Sequence, residues 1–236
     1  MALGLVLITC SAFSAPHHRT SEQTILAPGY AELTFEAPKP GTYNLPSLSK
    51  ASNGELVTSR GASTSLHALT GDKFVILSFI YTSCNDVNGC PLASYVLSKV
   101  QDRIKQDKLL RDHVRLISLS FDRLNDTPET LKKYAANFRH KNFDWQFLTT
   151  PSNQALEQIL SAYNQFVIED VDDNGKKIGT LSHILRVYLI DQKRNIRNIY
   201  SVSFLHPDII MNDILTIFND HQTSDQLGAS GDNALR

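Results

Sequence analysis

The most informative stretch of this chain is residues 74–91, FVILSFIYTSCNDVNGCP. They begin with an apolar, β-rich run over residues 74–81 and end with Cys90 and Pro91, after which apolar residues recur with a helical period. A polar turn separates the run from the helix, and a cysteine lies on each side of it. A helix N-terminus carries unpaired N–H groups and the positive end of the helix dipole, which lower the pKa of a nearby thiol. The stretch therefore predicts a buried strand, a loop and a helix that hold a reactive pair, Cys84 and Cys90.

The two cysteines also fit a simpler interpretation. Cys84 and Cys90 could form an inert structural disulfide, or could be two small buried residues. The chain has one further cysteine, Cys10, in an N-terminal segment that we expect to lie outside the folded domain. So few cysteines do not make a disulfide scaffold, which favours a functional pair.

The composition is that of an ordinary soluble globular protein. The chain has 236 residues, of which 42% are hydrophobic and 20% are charged, and its net charge is −1. This length is enough for one sizeable core and allows one or two domains. The basic residues are interleaved with acidic ones, so the sequence gives no electrostatic basis for binding nucleic acid.

The N-terminus differs from the rest of the chain. Residues 2–8 are apolar and are followed by small residues, as in the hydrophobic and cleavage regions of an export signal. Residues 7–10 also resemble a bacterial lipoprotein acylation box, and a buried N-terminal strand is the alternative. The run is too short to span a bilayer stably. We therefore predict an export signal or lipoprotein leader over residues 1–15 and an extracytoplasmic location in a bacterial periplasm. We expect attachment to the inner membrane only through the leader or its lipid.

The remaining chain is predicted to form one layered domain. Residues 16–42 are rich in proline and are expected to be an extended tether, residues 43–220 the domain, and residues 221–236 a disordered tail. A short hairpin precedes the element order β–α–β–α–β–α–β–β–α. Strands separated by helices predict an α/β fold of thioredoxin-like arrangement: a central mixed sheet flanked by helices, with an N-terminal hairpin and a C-terminal antiparallel hairpin.

The individual elements follow from periodicity and from capping residues. Asp126 and Thr127 precede Pro128 and are interpreted as a helix start, and Ser152 as the cap of a further helix. The expected elements are strands over residues 74–81, 114–120, 143–148, 184–190 and 196–202, helices over 91–104 and 209–218, and a turn-rich loop over 171–179.

Three blocks of the sequence resemble the Sco/SenC family: FIYTSC…CP after the buried strand, SLSFDRLNDTPETLKKYAANF, and SHILRVYLID. The similarity covers residues 43–219. It implies a thioredoxin-like fold and a protein that binds copper, as Cu(I) or Cu(II), and assists assembly of the copper A site of cytochrome c oxidase. The implied partners are the copper-site subunit of that oxidase or another cuproprotein, and a thioredoxin-like reductant.

By motif, the copper ligands of the family map onto Cys84, Cys90 and His183. Asp122, Asp126 and Thr127 also match a family motif, although helix capping accounts for the last two.

The chain departs from the family pattern at two places. Five residues separate its cysteines where the family has three, and Ser182 precedes His183 where the family usually has Asp. Two thiolates and an imidazole are nevertheless soft and borderline donors, which suit Cu(I). His183 could instead be a structural residue at the start of a strand.

A thiol–disulfide oxidoreductase is the main alternative. Cys84 would attack and Cys90 would resolve, because the exchange needs only a thiol of low pKa and a partner. The Cys-x-x-Cys spacing of thioredoxins is absent, however, and no proline occurs between Pro151 and Pro207, the region where such enzymes place one beside the site. His183 lies at about that position, which favours a metal role.

A peroxidase and a binding module are two further alternatives. Peroxidases of the peroxiredoxin type use a Pro-x-x-x-Thr-x-x-Cys motif, and in this chain Leu77 and Tyr81 occupy its proline and threonine positions before Cys84. A binding module with a vestigial site is left open by the altered cysteine spacing.

Overall fold

The computed structural model describes residues 27–232, and for residues 221–232 it describes the backbone alone. The predicted leader and Cys10 lie outside the described residues. Within them the elements are β1 (Ser49–Lys50), β2 (Glu55–Thr58), β3 (Ser63–Ser65), α1 (Leu66–Thr70), β4 (Phe74–Ile80), α2 (Cys90–Gln106), α3 (Lys108–His113), β5 (Val114–Ser120), α4 (Pro128–Ala136), β6 (Trp145–Thr149), α5 (Asn153–Ala162), β7 (Val167–Val171), β8 (Lys177–His183), β9 (Val187–Ile190), β10 (Asn195–Tyr200) and α6 (Pro207–Asp232).

One eight-stranded sheet forms the centre of the domain, in the order β1-β10-β9-β4-β5-β6-β2-β3. The strands β4, β5 and β6 are parallel, whereas β9, β10, β2 and β3 add to them antiparallel. The N-terminal hairpin β2–β3 and the C-terminal hairpin β9–β10 extend opposite edges of the sheet. The predicted α/β, thioredoxin-like fold with a mixed sheet is confirmed.

The strand β4 lies between β5 and β9 and is buried along its whole length. Its sequence is apolar on both faces because both faces are covered, as in the parallel sheets of α/β proteins. The helix α2 contacts both β4 and β5 and buries the apolar side chains of Leu92, Val96 and Val100. The predicted strand and helix around the cysteines are thus both present, and α2 begins one residue earlier than expected, at Cys90.

A second, two-stranded sheet was not predicted. The strands β7 and β8 form an antiparallel hairpin whose turn includes Gly175 at φ +78°, within the expected turn-rich loop over residues 171–179. The predicted strand over residues 184–190 is reduced to β9, so His183 ends β8 and does not begin a strand. Both hairpin strands are largely exposed, so they lack the strict apolar alternation that marks a half-buried strand.

The chain on either side of the domain also has a defined course. Residues 27–48 contain no helix or strand, yet they contact α6: Tyr43 donates a hydrogen bond to Asp213 at 2.5 Å, and the N–H of Gly41 donates to Thr216 at 3.0 Å. The helix α6 continues to Asp232, beyond the predicted residues 209–218 and through most of the segment expected to be a disordered tail. Along residues 27–232, no helix combines the length and apolar character needed to cross a membrane.

Replacing Leu77 with alanine tests the central position of β4. Leu77 is fully buried, so Leu77→Ala is expected to lower the free energy of unfolding by about 2–5 kcal/mol. The control Lys99→Ala, on the exposed side of α2, is expected to change it by about 0.5 kcal/mol or less. Urea denaturation followed by circular dichroism measures both, and equal losses at the two positions would contradict the assignment.

Candidate functional site

The loop between the cysteines folds back on itself. The N–H of Gly89 donates to the carbonyl of Asp86 at 2.9 Å, and the N–H of Asn88 donates to the Asp86 carboxylate at 3.0 Å. This turn places Cys90 at the first residue of α2 while Cys84 remains beside it, with the two sulfurs in hydrogen-bond contact. The five-residue spacing therefore still brings the two cysteines together.

The two thiols are free and differ strongly in their surroundings. The pKa of Cys84 is lowered from 9.0 to about 6, chiefly by a hydrogen bond from Cys90 and despite the partial burial of Cys84. The backbone N–H groups of Cys90 and Asp86 and the Tyr81 hydroxyl lower it further. Cys90 is fully buried, and burial together with its hydrogen bond to Cys84 raises its pKa well above the usual value. At neutral pH, Cys84 is thus mostly a thiolate that accepts a hydrogen bond from the Cys90 thiol.

Tyr81 is part of this arrangement and was not singled out from the sequence. Its backbone N–H donates to the Cys90 sulfur at 3.4 Å, and its hydroxyl donates to Cys84. Burial raises the pKa of Tyr81 to about 12, so the hydroxyl keeps its proton and remains a donor. The available signal was its position: a tyrosine that ends an apolar run carries a polar tip beyond the strand.

His183 lies at the end of β8 and shares a pocket of about 270 Å³ with Cys84, Tyr81 and Asp86. Its ring centroid is 4.6 Å from that of Phe121, and its Nε2 is buried without a hydrogen-bond partner. Burial lowers the pKa of His183, although the Asp86 carboxylate opposes this shift. The imidazole is therefore neutral at physiological pH, and one of its nitrogens has no protein partner.

The pocket wall next to His183 includes the carboxylate of Asp170, which lies on β7, the strand paired with β8. Ser182 donates a hydrogen bond to Asp170 at 2.7 Å, and Thr180 donates to the same carboxylate at 2.6 Å. These bonds lower the pKa of Asp170 and keep it ionised. The pocket is therefore negatively charged, with the Cys84 thiolate on one side and Asp170 and Asp86 on others.

The donor types in the pocket fit a soft metal ion. A thiolate, a buried thiol in contact with it and a neutral imidazole with an unpartnered nitrogen are ligands that suit Cu(I). Among the described side chains, no group of three or more His, Cys, Asp or Glu is already arranged to hold a metal ion. The structure thus brings Cys84 and Cys90 into contact and places His183 on the wall of the same pocket, without joining the three into one cluster.

Asp126 does not cap a helix, contrary to the sequence interpretation. Thr127 caps α4 by accepting from the N–H of Thr130, whereas the Asp126 side chain is buried beneath the cysteine loop. Asp126 accepts hydrogen bonds from the N–H of Thr82 at 3.0 Å, from its hydroxyl at 2.5 Å and from Ser120 at 2.5 Å. It thereby fixes the residue at which the chain leaves β4 toward Cys84. The third residue of the motif, Asp122, accepts from Asn125 in an exposed local turn.

The reactivity of Cys84 should titrate at low pH. In a Cys10→Ser background, the rate of alkylation by iodoacetamide is expected to rise with a midpoint at about pH 6, since only the thiolate reacts. Cys90→Ala removes the hydrogen bond that lowers this pKa most, so the midpoint should move up toward 9.0. Stopped-flow alkylation across pH measures both values. A midpoint that is the same in the two proteins would contradict the thiol–thiolate bond.

The Asp126 network should contribute to stability through its hydrogen bonds. Asp126→Ala leaves the partly buried N–H and hydroxyl of Thr82 and the buried hydroxyl of Ser120 without their acceptor, which is expected to cost about 1–3 kcal/mol. Asp126→Asn should retain most of that stability, because an amide can accept from the N–H and donate to a hydroxyl. Burial also raises the pKa of Asp126 and disfavours its charge, so a neutral side chain suits this position. Thermal unfolding measures the loss of stability in the two variants. Equal losses in Asp126→Ala and Asp126→Asn would contradict the role of the hydrogen bonds.

Comparison with known proteins finds relatives of this chain in sequence and in fold. The SCO1 protein homolog of Bacillus subtilis is 35% identical over 98 residues, covering 42% of this chain and 48% of that protein, so the match spans about half the length of that relative. The structure of Arabidopsis thaliana ScoI with copper bound superposes with a TM-score of 0.61 at 19% identity, covering 72% of this chain and 98% of that chain. The structure of BsSco gives a TM-score of 0.57 at 23% identity, covering 74% of this chain and 97% of that chain. BsSco is a member of the Sco family of cytochrome c oxidase assembly proteins, and a disulfide switch was identified in it.

The structural likenesses, at these identities, show a shared fold. The SCO1/SenC family model matches residues 48–219, which is well over half of the chain and contains both cysteines and His183. The chain therefore belongs to the SCO1/SenC family.

Proposed function

We propose that this protein binds copper with Cys84, Cys90 and His183 and serves in assembly of the copper A site of a respiratory oxidase, by delivering copper, by reducing the cysteines of that site, or by both. What supports this function most directly is the pocket shared by the Cys84 thiolate and His183, whose buried Nε2 has no protein partner. Membership of the SCO1/SenC family agrees with it, as do the copper held by Arabidopsis ScoI and the oxidase-assembly role of BsSco.

Each residue has a separate task in this function. Cys84 supplies a thiolate near neutral pH, and the Cys90 thiol must lose its proton before its sulfur can bind a metal ion. His183 supplies a neutral imidazole because burial lowers its pKa. Asp170 and Asp86 add negative charge to the pocket wall and thereby favour the entry of a cation. Copper itself supplies the affinity for soft sulfur donors and is the cargo that leaves with the recipient.

A thiol–disulfide oxidoreductase is the second candidate, and the opposite pKa shifts of the two cysteines favour it. An attacking thiol needs a thiolate at ambient pH, which Cys84 provides, and a buried partner of high pKa, such as Cys90, resolves the mixed disulfide. The two functions are compatible, because the cysteines of a copper A site must be reduced before they take up metal.

The partners and the location follow from the same function. The recipient would be the copper-site subunit of an oxidase or another cuproprotein, with a thioredoxin-like protein as reductant. Such partners are extracytoplasmic, in agreement with the export signal or lipoprotein leader predicted for residues 1–15.

Removing His183 separates the two candidates. If His183 is a ligand, His183→Ala should weaken Cu(I) binding by about tenfold or more, because a two-cysteine site loses its third donor. Competition against a Cu(I) chelator measures the affinity on the reduced protein in a Cys10→Ser background. Affinity should also fall toward acid pH, and most steeply below about pH 6, where Cys84 takes up a proton.

His140→Ala is the matched control. His140 is an exposed histidine that bonds Asp102 on the surface, so copper affinity should not change. An unchanged affinity in a folded His183→Ala protein would remove His183 from the site. Wild-type protein that fails to bind Cu(I) while its cysteines exchange with glutathione would favour the oxidoreductase.

A further inference from the structure

A segment remote in sequence lies directly against the cysteine loop. Residues 27–36, here called the strap, run past the loop at Gly29. A Cβ atom at Gly29 would lie 2.3 Å from the carbonyl oxygen of Val87 and 2.6 Å from Oδ1 of Asn88, closer than any side chain can be accommodated. The backbone of Gly29 is therefore in close contact with the middle of the loop, and only glycine fits at this position.

The strap is fixed at the next residue, Tyr30. Its N–H donates to the carbonyl of Ala27 at 2.9 Å, which forms a tight turn around Gly29. Its ring packs edge-on against Tyr95 of α2, with centroids 4.9 Å apart, and stacks on His206 at 5.5 Å. Tyr30 thus holds Gly29 in place against the loop.

His206 determines the direction of the bond that holds Tyr30. The N–H of Asp208 donates to Nδ1 of His206 at 3.2 Å, so Nδ1 acts as an acceptor. Nε2 therefore donates to the Tyr30 hydroxyl at 2.8 Å. His206 is 3% exposed and directly precedes α6, and it anchors the strap through this bond. Asp208 pairs with Arg103 of α2, which joins both helices behind this contact.

The loop has little else to hold its central residues. Residues 85–88 are exposed, and the hydrogen bonds of Asn88 and Gly89 within it both go to Asp86. A disulfide would bring the sulfurs of Cys84 and Cys90 to a covalent length of about 2 Å, and we expect the loop between them to adjust when this bond forms. The strap contacts the loop at Val87 and Asn88, between the two cysteines, so an adjustment of the loop would act on this contact.

We propose that the strap is a positioning element for the cysteine pair: by packing Gly29 against Val87, it stabilises the loop conformation in which both thiols are free, and so opposes disulfide formation. This inference rests on the proposed function in that Cys84 and Cys90 are the working pair. Coupling between two sites is reciprocal, so formation of the disulfide should also loosen the strap.

The reaction that reports this coupling is exchange with glutathione disulfide. The Cys84 thiolate attacks glutathione disulfide, which forms a mixed disulfide and releases one glutathione thiolate. Cys90 then gives up its proton and attacks the Cys84 sulfur, which forms the protein disulfide and releases a second glutathione. The protein pair is oxidised by two electrons, and one glutathione disulfide is reduced to two glutathione molecules.

The test compares disulfide equilibria of strap variants in the full chain carrying Cys10→Ser. Gly29→Ala forces the strap off Val87, so the pair should become easier to oxidise. The value of [GSH]²/[GSSG] at half-oxidation should then rise by about fivefold or more. Tyr30→Phe keeps the ring contacts and removes the bond to His206, and it should shift the value in the same direction by less. Ala31→Ser, at an exposed strap position, is the matched control and should leave the value unchanged.

Limited proteolysis of the parent protein tests the reciprocal effect. Chymotrypsin should cleave after Tyr30 faster in the oxidised protein than in the reduced protein, as followed by mass spectrometry. Identical cleavage rates in the oxidised and reduced proteins overturn the inference. It is also overturned if [GSH]²/[GSSG] at half-oxidation is unchanged or lower in folded Gly29→Ala and Tyr30→Phe. Neither measurement involves copper, so a wild-type protein that fails to bind Cu(I) would refute the proposed copper function and leave this test intact.

Discussion

Burial of β4 on both faces is the constraint on which the site depends. Its residues are all buried between β5 and β9, so the point at which the chain leaves the sheet cannot shift without exposing core side chains. Asp126 then fixes Thr82, two residues beyond the end of β4, through two hydrogen bonds. On the far side of the loop, Cys90 is fully buried at the start of α2. Both ends of the cysteine loop are thus held by the core, and only the residues between them can move.

The chemistry of the pair follows from this unequal burial. Cys90 is surrounded by core and keeps its proton, whereas Cys84 is half-buried and receives hydrogen bonds from Cys90, from backbone N–H groups and from Tyr81. One sulfur therefore carries the charge and the other supplies the proton that stabilises it. Such a pair can offer a thiolate to a metal ion or to a disulfide, which is why the two proposed functions require the same geometry.

The longer loop is compatible with a site because two features compensate for its length. The backbone carbonyl and carboxylate of Asp86 accept from Gly89 and Asn88, so the extra residues are taken up in a compact turn. The strap packs against the same turn at Gly29 and restricts it from outside. The turn is thus held both by its own hydrogen bonds and by contact with a segment more than fifty residues earlier in the chain.

Local sequence pattern was enough to predict β4, α2, Thr127 as a cap, and the placement of Cys84 and Cys90 at a helix start. Periodicity and capping are readable because they involve neighbours within a few residues. The contacts between residues from distant parts of the chain could be seen only in the three-dimensional structure. It took Asp126 out of its predicted cap, placed His183 at the end of an unpredicted exposed hairpin, and put Gly29 against Val87. These contacts depend on how packed elements approach one another in space, which no local pattern in a single sequence encodes.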